Sequence, residues 1–216
     1  MPLYILYENK YWEIKTLYMC ISENLLRSAG AIEHHYDTGD YIFRQDTFPQ
    51  FYYFILEGDV KLNTYTEDGK EFIHEIIHKN SGIGESMLIL GKHYPVNAVA
   101  LSKCTLLKTV SSQFFKLVEE NPLILRDMYT TLANRSFEKQ TLMHTITSKN
   151  AEDRLTEIMD LMKEAHSNKD KFSLEITYTR QQLASLTGLS LETTIRIIKK
   201  MEKENIIKLE GRKILY

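Results

Sequence analysis

Residues 179–207 read TRQQLASLTGLSLETTIRIIKKMEKENII, and the fold class turns on this stretch. Thr179 is placed to cap a short helix running through about Leu186. Gly188 sits where a sharp turn needs a permissive backbone. Ser190 caps a second helix, with Thr193 and Thr194 in its first turns. Helix, short glycine-containing turn and helix form the helix-turn-helix plan. Leu183, Ala184, Leu189, Ile197 and Ile198 supply its small core, with Ala184 small where the helices cross. Glu192, Thr193 and Arg196 are left on the outer face near the start of the second helix, the end that enters the major groove in such proteins. The following NIIKLEGRKILY predicts two short strands around Glu210-Gly211, a wing. A generic helical hairpin shares the apolar spacing, but it has no need of a cap, a turn glycine, a second cap and a wing in this register.

Charge agrees with that reading. The 216-residue chain has a net charge of −2, but from residue 176 onward eight Lys and Arg face four Glu, so the tail is +4 and the rest −6. A basic end on an acidic body suits a polyanionic partner. Hydrophobic residues at 43% suffice for real cores, and charged residues at 26% suit a soluble globular protein. Cys20 and Cys104 make no disulfide framework and no CxxC pair, which fits a reducing cytoplasm. No apolar run reaches the roughly 18 residues that span a bilayer. The start, MPLYILYENKYWEIK, meets charge too early for a secretory signal. The expected location is cytoplasmic, with no membrane partner.

Working back toward the N-terminus, Asn150 is placed to cap AEDRLTEIMDLMKEAHS, followed by a polar loop and the strand-like FSLEITYT. Before it, LILRDMYTTLANRSFEKQTLMHTITSK runs without Gly or Pro to Lys149, about seven turns of helix. Leu125, Leu132 and Ile146 recur at heptad spacing, with Met128 and Leu142 three or four residues away, so this helix is expected to pack along a partner through those five residues. Lys139 interrupts the seam between Leu132 and Ile146. SSQFFKLVEENP predicts a short helix stopped near Pro122.

Residues 36 to about 110 have another period. TGD, EGD, EDGK and NSGIGE separate the short aromatic and β-branched runs YIF, FYYFIL, VKLNTYT, EFIHEII and NAVALSKCTLLKTV. Such spacing indicates an antiparallel sandwich or barrel. HEIIH, residues 74–78, matches the H-E-x-x-H pattern of zinc proteases, which requires a helix. Only about ten residues lie between the flanking breakers, and Ile73, Ile76 and Ile77 favour a strand. On a strand Glu75 points away from the face shared by His74 and His78, so it could not serve a zinc held by both.

With these motifs in place, the chain resembles the CRP/FNR family of bacterial transcription regulators over nearly its whole length. The resemblance runs from the β-roll (YDTGDYIF, FYYFILEGDVKL, EDGKEFIHEIIHKNSGIGE) through the long helix to the winged helix-turn-helix. It implies an α+β fold: an antiparallel, jelly-roll-like sensory β-roll with flanking helices (1–120), a long dimerisation helix (121–149) and a winged helix-turn-helix (150–216). It also implies a homodimer, double-stranded DNA with an inverted-repeat site and RNA polymerase as partners, and no catalysis. In the cAMP-binding branch the pocket follows a Gly-Glu pair, here Gly84-Glu85. The Arg-Ser that holds the phosphate there is Pro95-Val96 here, and the Thr-Ser that meets the base is Lys139-Gln140. Pro has no N–H and neither residue carries charge, so the effector is expected not to be cAMP. A different anion could meet Lys139. The oxygen-sensing branch needs an N-terminal cysteine cluster, where this chain has Cys20 alone. No cofactor is identified. The expected control is an effector other than cAMP, or none.

On DNA the resemblance assigns base reading to Glu192 and Arg196. Leu191 stands where the cAMP branch has another Arg, and Ile195 where the oxygen-sensing branch has Ser. The half-site is therefore expected to be of the TTGA type. Thr179, Arg180, Thr193 and Lys199 are expected on phosphates. The alternatives are a cupin-like metal-binding protein or enzyme, using β-roll histidines among His34, His35, His74, His78 and His93 with an appended DNA-binding domain, and a regulator that acts through protein contacts.

Overall fold

The computed structural model describes residues 21–148, 150–164 and 166–216. Cys20 and the aromatic-rich residues 1–20 of the expected sensory domain lie outside them, as does Lys149. The N-terminal part is a β-roll of eight strands, β1 (Ile32–Tyr36), β2 (Tyr41–Phe43), β3 (Phe51–Glu57), β4 (Val60–Tyr65), β5 (Glu71–Ile77), β6 (Ser81–Ile83), β7 (Asn97–Ala100) and β8 (Cys104–Val110). They form two antiparallel four-stranded sheets, ordered β1-β8-β3-β6 and β2-β7-β4-β5. Between them lies a core that includes Phe43, Tyr53, Ile55, Val60, Ile77, Ile83, Tyr94 and Leu106.

FYYFIL is apolar without alternation because β3 is covered on both faces. Tyr53 and Ile55 point between the sheets, while Tyr52 and Phe54 meet helices on the outside. That outer layer is α1 (Glu23–Ser28), α3 (Ser111–Glu120) and the first turns of α4 (Pro122–Ser148), packed through Leu26, Phe114, Leu117, Ile124 and Met128. The β3–β4 turn is fixed by Gly58 at φ +84°, where a Cβ would fall 2.3 Å from the Lys103 carbonyl oxygen.

HEIIH lies on β5, with His78 just beyond its end. His74 Nε2 is 2.9 Å from Thr64 Oγ1, and His78 Nδ1 is 2.7 Å from Asp59 Oδ1. Several elements differ from the sequence expectation. IEHHY is an edge strand paired with β8, too polar to stand out as one. NSGIGE contains β6, hydrogen-bonded to β3, as well as the turn. A short helix, α2 (Glu85–Leu90), follows Gly84. NAVALSKCTLLKTV is broken into β7 and β8. Pro122 opens α4 as well as ending the preceding segment, since its missing N–H costs nothing in a first turn.

Downstream, Asn150 Oδ1 accepts hydrogen bonds from the Glu152 and Asp153 N–H groups and so caps α5 (Ala151–Glu164). FSLEITYT contributes only β9 (Glu175–Ile176), which pairs with the wing, β10 (Lys208–Glu210) and β11 (Lys213–Leu215). Between them stand α6 (Arg180–Thr187) and α7 (Leu191–Lys203). Leu155, Met159, Leu183, Leu189, Ile197, Ile198 and Met201 close the core of this unit.

Candidate nucleic-acid interface and effector cavity

The helix-turn-helix is positioned by local chemistry. Thr179 Oγ1 accepts from the Gln182 N–H while Gln182 Oε1 accepts from the Thr179 N–H, a reciprocal capping box. Gly188 ends α6 at φ +67°. Ser190 Oγ accepts from the Thr193 N–H and starts α7. One face of α7 is spent on the core, through Thr194, Ile197, Ile198 and Met201. The opposite face exposes Leu191, Glu192, Arg196 and Lys199, with Ile195 half-buried at its edge. Arg196 and Lys199 make no ion pair with any described residue, whereas Lys200 is held by Glu152 at 2.6 Å. The Thr179 and Thr193 hydroxyls accept hydrogen bonds in the caps and keep their protons for an outside acceptor. Arg180 Nη1 donates to the Arg212 carbonyl at 3.3 Å, tying α6 to the wing tip.

The β-roll and α4 line an open-mouthed cavity of about 410 Å3. Gly84, Glu85, Pro95, Val96, Lys139 and Gln140 all line it. One residue of its wall, Arg135, had not been singled out from the sequence. Arg135 donates through Nη1 to Glu85 Oε1 at 2.7 Å and through Nη2 to the Gly82 carbonyl at 2.8 Å, and its Nε stands 3.4 Å from Glu75 Oε1. Arg135 lies one helical turn before Lys139, so it shares that face of α4, and this spacing was the available signal. Tyr94 stacks on Phe43 at 3.8 Å beneath the cavity, and burial pushes its phenol pKa up. Burial, with Lys139 adding to it, pushes the His74 pKa down. Among the described residues no group of three or more His, Cys, Asp or Glu could hold a metal ion.

The five residues expected along the partner seam do not share one environment. Met128 is buried in the β-roll's outer core, and Leu142 packs against the core of the winged helix. Leu132 is half-buried in the cavity wall, and Ile146 is half-buried as well. Leu125 is exposed. The large apolar side chains that α4 leaves exposed are Leu123, Leu125, Tyr129, Phe137 and Met143, the last also lining the cavity. Met128 is therefore occupied within the chain, while Leu142 is half-buried against the winged-helix core. Heptad spacing finds an apolar row, but not what the row meets.

A buried face on α7 with an exposed polar and cationic one, set in a wing-flanked domain beside a β-roll, defines a winged-helix DNA-binding regulator. Comparison with known proteins adds the lineage. Residues 33–121 match the cyclic nucleotide-binding domain and residues 154–216 the Crp-like helix-turn-helix domain, together well over half the chain. The chain belongs to the CRP/FNR family of transcription regulators, a family without enzymatic activity. It is 25% identical over 184 residues to the cAMP-activated global transcriptional regulator CRP of Salmonella typhimurium, covering 84% of this chain and 88% of that one. In structure it is similar to the c-di-GMP responsive global regulator CLP of Xanthomonas campestris (TM-score 0.76, 18% identity, 90% of this chain and 98% of that one). It is also similar to a CooA variant from Carboxydothermus hydrogenoformans (TM-score 0.77, 17% identity, 98% and 92%). Among the described residues no helix is long and apolar enough to cross a membrane.

Proposed function

We propose that the chain acts in the cytoplasm as a homodimeric, sequence-specific DNA-binding regulator whose β-roll sets the placement of its winged helices in response to an effector other than cAMP. The observation that carries the DNA reading is the division of α7, with Ile197, Ile198 and Met201 inside and Leu191, Glu192, Arg196 and Lys199 outside. Arg196 can give two hydrogen bonds to guanine O6 and N7, Glu192 can accept from cytosine N4, and Leu191 suits a thymine methyl. Thr179, Arg180, Thr193 and Lys199 flank them as phosphate contacts. Dimerisation runs through the outward stripe of α4, which would otherwise leave Tyr129 and Met143 in water, 64% and 68% exposed. A dimer wants two inverted half-sites about one helical turn apart. RNA polymerase is the further partner that promoter control requires.

The cyclic nucleotide in the names of the enteric relatives suits this cavity poorly. The arginine in its wall, Arg135, is engaged by Glu85, Gly82 and Glu75, and Pro95-Val96 offers a phosphate neither charge nor a proline N–H. Control by an effector requires that the ligand distinguish two arrangements of α4 and the winged helix. Selection from random-sequence DNA with the purified chain tests the whole reading. An inverted repeat of TTGA-type half-sites is expected, and enrichment of no sequence sinks it.

A further inference from the structure

We infer that the 410 Å3 cavity takes a small molecule with a hydrogen-bond-donating head, an ammonium or a hydroxyl group, on an apolar body, and that it rejects anions. The inference rests on the reading of the β-roll as the sensory half of a regulator and names the chemistry it senses.

Most of the lining is apolar, with Phe43, Leu62, Met87, Val96, Leu132 and Met143 around it. The polar groups gather on one side. Glu85 and Tyr94 are 6% and 3% exposed, and Glu75 is half-buried beside them. Glu75 Oε2, Glu85 Oε2 and the Tyr94 hydroxyl are each buried without a hydrogen-bond partner among the described residues. Folded chains satisfy nearly all such atoms, so three on the lining of one cavity are a signal. Two of them are carboxylate oxygens, which when ionised can only accept, and a phenol can accept as well as donate. What completes this wall therefore has to bring donors.

The charges say the same. Glu75 and Glu85 face Arg135 and Lys139, two against two. Arg135 is already engaged with one oxygen of each carboxylate and with the Gly82 carbonyl. Lys139 Nζ stands 4.0 Å from Glu75 Oε2, beyond hydrogen-bond distance, and its side chain is 57% exposed. It can swing into water when another donor arrives. An anion would find no unspent cation deep in the cavity and would add a third negative charge beside two carboxylates. A volume of about 410 Å3 lies in the range of small-molecule sites.

The test is calorimetry on the full chain with three probes of one body and different heads, 2-phenylethylamine, 2-phenylethanol and phenylacetate, together with cAMP. The amine or the alcohol should bind one per chain, with phenylacetate and cAMP weaker by about tenfold or more. A stronger amine identifies the head as ammonium, and an equal or stronger alcohol identifies it as hydroxyl. Glu75→Gln should weaken the preferred probe by about tenfold, and Lys139→Ala, a change at an exposed position, should leave it as tight or tighter. Phenylacetate or cAMP binding as well as the donor probes overturns the inference. So does failure of both donor probes at about 10 mM, or a Lys139→Ala chain that no longer binds them. DNA binding, measured separately by fluorescence anisotropy, tells the two readings apart. A chain that takes the donor probes but no DNA sequence keeps the ligand class and loses the regulator, and one that binds DNA and ignores the donor probes does the reverse.

Discussion

Arg196 and Glu192 stand four residues apart on the outer face of α7, with Lys199 three residues beyond Arg196. The proposed roles, base edges for the first two and a phosphate for Lys199, leave different marks. Arg196→Ala should cost roughly 1–3 kcal/mol of binding and relax the preference for one guanine in each half-site. Lys199→Ala should weaken all sequences alike and lower the slope of log affinity against log salt by about 1. Anisotropy titrations on a panel of single-base variants, at several salt concentrations, check both. Unchanged guanine preference in Arg196→Ala would show that another side chain reads that base. Gly188 makes a different kind of demand. Its φ of +67° is strained for any L side chain, while the space around it is ordinary, with Phe72 3.5 Å from where a Cβ would lie. Gly188→Ala should therefore cost about 1–2 kcal/mol through the backbone alone, lowering the melting temperature by several degrees in calorimetry. No loss would mean that the turn relaxes to a conformation suited to Ala.

The helix α4 serves three neighbours at once. Ile124 and Met128 hold it to the β-roll, Arg135 to the cavity wall and Leu142 to the winged helix. The exposed apolar side chains left over are Leu123, Leu125, Tyr129, Phe137 and Met143. Tyr129→Asp puts charge among them at a position already mostly exposed, so the fold of the chain should change little, by about 0.5 kcal/mol. The proposed dimer should instead dissociate in sedimentation velocity, and retention of a dimer at the same concentration would place the seam elsewhere. Leu132→Asp and Met143→Asp are less clean probes, because both side chains also line the cavity. A heptad of Leu125, Leu132 and Ile146 is legible in the sequence, but the face it marks is shared between the chain's interior and its outside. The capping signals at Thr179, Ser190 and Asn150 were legible because each acts over three residues.

Across the whole molecule, the winged helix is docked on the β-roll through the turn of its own helix-turn-helix. The Lys70 ammonium, on the β4–β5 hairpin, donates to the Gly188 carbonyl at 2.9 Å, and the Phe72 ring lies against Gly188. From within the DNA-binding unit, Arg154 Nη1 donates to the Thr187 carbonyl at 3.1 Å, bracing the same turn. The bridge from Lys70 is exposed and is worth about 1 kcal/mol, enough to bias a docking equilibrium and too little to lock it. Lys70→Ala with Phe72→Ala should speed amide exchange in α6 and in the hairpin while leaving the core strand β3 protected. Unchanged exchange in α6 would show that the docking rests on other contacts.

The helix-turn-helix, its wing and the alternation of short strands with glycine turns were written in the sequence, because caps, turn glycines and side-chain periods act between residues a few positions apart. Glu192, Thr193 and Arg196 on the outer face of α7 followed from the same local spacing. The strand IEHHY, the pairing of Ser81–Ile83 with β3 and the engagement of Arg135 by Glu85 and Glu75 had no such local mark. They depend on groups 26 to 76 residues apart along the chain meeting only once the sheets have formed and α4 lies across them. The same closure decided which apolar residues of α4 went inside, since spacing along a helix defines a face, and what that face meets is settled by the surfaces that fold against it.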